Sequence, residues 1–204
     1  VKFAVCTYGG SASMFLANAL DTTQGWRVEH EPSSQDQPTA KRLPGVRLRF
    51  DSVVGNYGEV NPRLRYLVPH LPVDRWACVV REPGAMLLSA LNRHPEWLDD
   101  GEMRLVLAVA EVVAFLQFID GWRNRGKSVF KMEDLTSRAY ALENFAAELG
   151  IESFDVNRVN LGSRMNEHGR EYLRTLYDLP AVVQGIFRPA FADFNSSYYP
   201  GAFS

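Results

Sequence analysis

From Tyr8 to Phe15 the chain reads Tyr-Gly-Gly-Ser-Ala-Ser-Met-Phe, a set of residue types suited to holding an anion. Gly9 and Gly10 can adopt left-handed dihedrals, and Ser11 and Ser13 offer short hydroxyl donors. Small residues let backbone N–H groups converge on one charge. The apolar run Phe3-Ala4-Val5-Cys6 lies before the loop, and Phe15, Leu16, Ala19 and Leu20 follow at helical spacing. The loop therefore joins a strand to a helix, whose dipole adds to the attraction. No Lys follows, so the G-x-x-x-x-G-K-[ST] loop of nucleotide triphosphatases is absent. A phosphate-like ligand is expected, without the usual ATP machinery. A tight strand–helix connector uses the same letters, so the loop needs support from elsewhere.

A second set follows another apolar run. Arg81-Glu82-Pro83 stands after Val79-Val80, and Ser89 falls two turns into the next helical segment. A guanidinium and a hydroxyl so placed can meet on one phosphate, the Arg through a forked pair of hydrogen bonds. The alternative is an Arg paired with Glu82 or a helix end, with Ser89 on the surface. A third set, Glu29-His30-Glu31, closes a short strand-like run. His70, His94 and His168 lack metal-ligand spacing, so they are read as solvent-facing and no metal is expected.

The elements that must position these residues alternate. Strands are expected at Lys2–Thr7, Trp26–Glu31, Val46–Val54, Trp76–Val80 and Lys127–Met132. Helices are expected from the loop to Leu20, from Asn61-Pro62 to His70, from Pro83 onward, over Glu102–Asn124 and over Ser137–Leu149 with Gly150 as the stop. Two more are expected near Glu167–Tyr177 and Pro180–Phe194, and Ser33–Pro44 reads as a loop. The pattern predicts an α/β fold, three-layer α/β/α, with a mostly parallel central sheet. Ligands of such sheets lie beyond the carboxyl ends of the strands. The Tyr8 loop and the segments after Val80 and Met132 are thus expected on one rim.

The 204 residues suit a single domain, read as a core over 1–150 and a C-terminal helical subregion over 151–204. A net charge of −2 gives no global pull toward nucleic acid or membranes, and neither is expected as a partner. Cys6 and Cys78 lie in apolar runs and read as small buried hydrophobes. With no signal peptide in view, a cytoplasmic location is expected. The apolar run Leu105–Ile119 is broken by Glu111 and Gln117 and falls short of the ~20 residues of a span, so it reads as a buried helix. No oligomeric state is read from the sequence.

The chain resembles the sulfotransferases that use 3′-phosphoadenosine 5′-phosphosulfate (PAPS). Gly10-Ser11-Ala12-Ser13-Met14-Phe15 is similar to their first loop, [KR]-S-G-[ST]-[ST]-[WFL], and Arg81-Glu82-Pro83 with Ser89 to their second motif. Between and beyond these, Glu29-His30-Glu31-Pro32, Gly58-Glu59-Val60-Asn61-Pro62-Arg63-Leu64-Arg65 and Lys131-Met132-Glu133-Asp134-Leu135 resemble further segments of bacterial members, in the right order. The resemblance covers about Val1 to Gly150.

It implies a P-loop-like parallel sheet and a transfer of a sulfuryl group to a hydroxyl or amine of a small-molecule or carbohydrate acceptor. It implies that Gly9, Gly10, Ser11, Ala12, Ser13 and Met14 hold the 5′-phosphosulfate. Arg81 and Ser89 would hold the 3′-phosphate, and the product would be adenosine 3′,5′-bisphosphate (PAP). Phe15 would stack near the adenine or, as an apolar residue in a first helical turn, fill the core. Glu31, with His30 second, would be the base; a surface turn is the alternative. Glu59 would be structural, holding Arg63 or Arg81, and Glu133 and Asp134 would cap a helix or bind loop backbone.

This sequence departs from the pattern where Gly10 replaces the loop cation, Ala12 a Gly and Met14 a hydroxyl donor. Lys41, Arg42 and Arg164 are candidate substitutes for the cation. The family's C-terminal R-K-G motif is absent, and Ser163-Arg164-Met165-Asn166 stands only in its place. The acceptor pocket is expected from Ser33–Pro44, Asp51–Tyr57 and the C-terminal helices. A reading as a binding protein without catalysis follows from Gly10, and a nucleotide phosphotransferase is disfavoured by the missing Lys.

Overall fold

Phe3, Ala4, Val5 and Cys6 are all fully buried, as expected of a strand covered on both faces. They form β1 (Lys2–Cys6), the middle of a five-stranded sheet in a computed structural model that describes residues 1–8, 12–32, 39–67, 70–94, 96–99, 101–161 and 179–199. The other strands are β2 (Trp26–His30), β3 (Asn56–Asn61), β4 (Arg75–Val80) and β5 (Val129–Lys131). All pairings are parallel, in the order β2-β3-β1-β4-β5. The helices are α1 (Ser13–Asp21), α2 (Thr39–Ser52), α3 (Pro83–Arg93), α4 (Glu96–Asp99), α5 (Glu102–Arg123), α6 (Met132–Ser137), α7 (Ala139–Glu148) and α8 (Ala181–Tyr198). The α/β class and the parallel sheet expected from the alternating pattern are both present.

The chain divides into two compact units. One comprises Val1–Val80 with Gly126–Met165 and contains the whole sheet with α1, α2, α6 and α7. The other comprises Arg81–Arg125 with Asn166–Ser204 and contains α3, α4, α5 and α8. In the sheet unit, α1 packs on β2 and β3 and buries Phe15, Leu16, Ala19 and Leu20 with Phe3, Val5, Val28 and Val60. Gly58 is required there: a Cβ on it would fall inside the Phe3 ring, which occupies the space above β3. At the end of α7, Gly150 (φ 82°) turns the chain left-handed, and Ile151 N–H returns to the Ala146 carbonyl. In the helical unit, α5 is long and apolar enough to cross a membrane by length and composition alone. Its stripe from Leu105 through Val112 and Phe115 to Trp122 is buried, Glu111 and Gln117 face outward, and it packs on α3, α4 and α8.

Four expectations are corrected. Val46–Val54 is not a strand: Val46 to Ser52 belong to α2, because Val46 and Phe50 bury one face at i, i+4 spacing. The fifth strand is instead β3, whose alternating Tyr57, Glu59 and Asn61 are polar enough to hide it. The helix expected from Asn61-Pro62 to His70 is only a short 3₁₀ turn, Leu64–Tyr66. Asn61 ends β3, and its Oδ1 accepts from Arg63 N–H at 2.9 Å, closing a side-chain turn in place of a helix cap. The segment Ser137–Leu149 is split at Arg138, which is extended between α6 and α7. Part of the expected 33–44 loop, from Thr39, is helical. The helix expected at Glu167–Tyr177, the Ser163-Arg164-Met165-Asn166 stand-in and His168 lie outside the described residues.

Candidate functional site

The carboxyl ends of β1 and β2 carry the strongest chemical cluster among the described residues. Ser13, the first residue of α1, places its Oγ 2.8 Å from His30 Nε2, at the last residue of β2. Glu31 Oε1 lies 3.4 Å from the same nitrogen. The Ser13 side of the anion loop and the two candidate bases therefore share one end of the sheet, as the sequence suggested. Glu31 N–H donates to the Val60 carbonyl of β3 at 3.2 Å, which fixes where its side chain begins.

Two non-glycine residues among those described have positive φ, and both belong to this cluster: Ala12 (φ 49°) and Glu31 (φ 44°). For an L-residue such a conformation costs of order 1–3 kcal/mol, and it persists where surrounding structure imposes it. Ala12 is the N-cap of α1, and no side chain among the described residues caps that end. Its first turn holds no acid. The N–H groups of a first turn have no intrahelical partner, and the dipole makes that end positive. The Thr7 hydroxyl, buried just before the loop, has no hydrogen-bond partner among the described residues. Nearby, the Arg65 guanidinium lies 5.9 Å from the centroid of the Tyr8 ring and 4.5 Å from that of Tyr66.

These features fit an anionic group: open backbone donors, a hydroxyl already fixed by an imidazole, an unspent buried hydroxyl, and no acid in the first turn. Gly9, Gly10 and Ser11 lie outside the described residues. Met14 is 36% exposed, so its side chain is accessible at this helix end. Phe15 is 4% exposed and packs in the core. Lys41 and Arg42 fall in α2, but their side chains, like Arg164, lie outside what is described.

Arg81 and Ser89 belong to the helical unit, and both are half-buried. Arg81 directly follows β4, and Ser89 lies in α3. Glu82 is the N-cap of α3: its carboxylate accepts from Gly84 N–H at 2.9 Å and Ala85 N–H at 2.6 Å. Asn195 Nδ2 of α8 donates to the same carboxylate at 3.3 Å. Glu82 thus serves the helix end.

Glu59 has a structural role with a different partner from those expected. It is fully buried, and Arg49 Nε of α2 reaches its Oε1 at 3.0 Å, where Arg63 or Arg81 had been expected. The Tyr57 hydroxyl lies 2.9 Å from Glu59 Oε1 and 3.0 Å from Glu29 Oε2. Burial pushes the Glu59 carboxyl above the usual carboxylate range, against the lowering effect of Arg49 and Tyr57. Burial and the two neighbouring carboxylates likewise push the Tyr57 phenol up. The network escaped the sequence reading because Arg49 reaches Glu59 only once α2 is a helix. In the segment after β5, Glu133 and Asp134 lie in the first turn of α6, and Asp134 pairs with Arg138 at 3.1 Å.

Among solved structures, the chain is similar to the crystal structure of a sulfotransferase from Alicyclobacillus acidocaldarius. The TM-score is 0.59, covering 96% of this chain and 94% of that chain at 16% sequence identity. No family model and no curated protein matches the chain. The likeness establishes a sulfotransferase-like fold, an α/β architecture with a five-stranded, all-parallel sheet.

Proposed function

We propose that the protein is a sulfotransferase that uses PAPS to sulfate a hydroxyl or amine of a small-molecule or carbohydrate acceptor. The observation that carries this reading is the meeting of Ser13, His30 and Glu31 at the uncapped N-terminus of α1. The ordered motifs and the fold of the bacterial neighbour support it. When bound, PAPS supplies an activated sulfuryl group on a phosphate leaving group. The N–H groups of the first turn of α1 and the Ser13 hydroxyl hold the 5′-phosphate by dipole and hydrogen bonds. Arg81 and Ser89 hold the 3′-phosphate, the guanidinium as a fork.

Glu31 is the base. It takes the acceptor's proton as the acceptor oxygen or nitrogen bonds to sulfur. The first-turn N–H groups of α1 and the Ser13 hydroxyl would take up the negative charge left on the phosphate oxygen as its bond to sulfur is given up. Positioning and charge stabilisation provide the acceleration, as in phosphoryl transfer.

Titration calorimetry with PAP tests the reading, and an absence of binding at high micromolar ligand overturns it. Arg81→Ala is expected to weaken that binding by more than about tenfold, since it removes a charged forked contact. A second reading, a PAP- or PAPS-binding protein without catalysis, is favoured by Gly10 at the position of the loop cation. A radiolabelled transfer screen that finds turnover with any acceptor removes it.

A further inference from the structure

His30 meets both of its partners through one nitrogen. Ser13 Oγ lies 2.8 Å from Nε2, and Glu31 Oε1 lies 3.4 Å from that same atom. In a serine nucleophile relay the acid holds the other ring nitrogen, so this arrangement is not one that activates Ser13 for attack. An ionised Glu31 can only accept, so its approach to Nε2 is favourable when that nitrogen carries the hydrogen. A protonated Nε2 has no lone pair to offer an acceptor, which leaves the base role to Glu31. With Nε2–H directed to Ser13 Oγ, the Ser13 hydroxyl can donate its own proton to an anion lying before the first-turn N–H groups of α1.

We propose that His30 is a positioning residue for the anion site, acting through Ser13. It fixes the hydroxyl as an outward donor and, as imidazolium, strengthens that donor, which offsets the cation that Gly10 does not supply. The proposal rests on the PAPS reading above. It divides the paired residues at the end of β2 into two roles: Glu31 receives a proton, and His30 supports the negative charge left on the phosphate when the sulfur–oxygen bond breaks. The strained φ of Glu31 fits this division, since it bends the chain so that adjacent residues, which would point to opposite faces of a strand, meet at one nitrogen.

The test compares binding of PAP with that of adenosine 3′-monophosphate, so that the ratio of affinities isolates the 5′-phosphate. It uses the full chain and the variants His30→Gln, His30→Arg, Ser13→Ala and Ser13→Ala/His30→Gln, each checked for folding by circular dichroism. Gln retains a donor without charge, whereas Arg retains charge and cannot act as a base. The ratio is expected to fall about tenfold or more in His30→Gln and to stay within about threefold of wild type in His30→Arg. The double variant is expected to be no worse than Ser13→Ala, because residues that act in series are non-additive.

An unchanged ratio in His30→Gln, a His30→Arg as poor as His30→Gln, or additive losses in the double variant each overturn the proposal and leave the PAPS reading standing. A wild-type chain that binds neither nucleotide overturns the PAPS reading itself. Should the His30 variants not fold, an undiminished ratio in Ser13→Ala alone overturns the proposal.

Discussion

Two helices follow neighbouring strands of the sheet, and their N-termini are built in opposite ways. β1 and β4 lie side by side, with Cys6 opposite Cys78. The helix after β4, α3, seals its own end: Pro83 has no N–H to satisfy, and Glu82 accepts from Gly84 and Ala85. The helix after β1, α1, has a left-handed Ala12 at its cap, no capping side chain among the described residues and no first-turn acid. One helix end is sealed by its own side chain, and the other leaves its first-turn N–H groups for the anion proposed above. The difference also constrains the second phosphate of the proposed donor. The end of α3 is already occupied by Glu82, so on the proposed reading Arg81 and Ser89 would hold a phosphate by side chains, without a helix end to help them.

The most direct way to break this contrast is to give α1 the acid it lacks. Met14→Asp, in the exposed first turn, is expected to reduce PAP affinity by well over tenfold while raising thermal stability, because an acid there suits the dipole but repels the ligand. Unchanged affinity by calorimetry would move the anion away from α1. The converse change, Glu82→Ala, opens α3 and is expected to cost about 1–2 kcal/mol in a urea unfolding series. Binding of the 5′-phosphate should be spared. A loss of stability below about 0.5 kcal/mol would show that the cap is not what holds that end.

Ala12→Gly sharpens the comparison more gently. Relief of the left-handed strain is expected to stabilise the fold by about 1 kcal/mol, or ~2–4 °C in melting temperature. A destabilised Gly variant would mean that the Ala12 conformation carries no strain.

The smallest effect lies on the other face of the sheet and separates scaffold from site. The carboxyl of Glu59 is raised by burial above its unfolded value, so its favourable contribution is full below the unfolded pKa and is lost as pH rises through the folded one. Glu59→Gln is therefore expected to flatten the decline in melting temperature as pH rises from about 4 toward neutrality. Parallel profiles for the two proteins would argue against a raised pKa at Glu59.

Legibility in the sequence followed burial. β1 and β4 could be read because both faces are covered, which leaves an unbroken apolar run. β3 could not, because one of its faces is polar: Tyr57 and Glu59 satisfy each other and Arg49 inside the fold, and such pairing is invisible in local letters. Val46, Leu48 and Phe50 fit period two as well as helical spacing, and only packing decided between them. At the site, the residue types and their common rim were readable from Ser13, His30 and Glu31. Their contact was not, since it depends on β3 entering between β1 and β2 so that α1 crosses it. Nor do letters announce that Glu31 has a positive φ.

Gly58 and Phe3 are partners in the pairing of β1 with β3, one a hole and the other the ring that fills it. Together they act as a lock for strand alignment. If β1 slid by one residue along β3, every side chain would change faces, and Phe3 would meet a residue with no room for it. The lock holds the ends of β1 and β2 level through their common neighbour, so the 2.8 Å between Ser13 and His30 rests partly on a glycine two residues before the β3 partner of His30. A substitution at Gly58 would therefore spoil chemistry it never touches. Tolerated replacements at this position should appear only together with a smaller residue at Phe3.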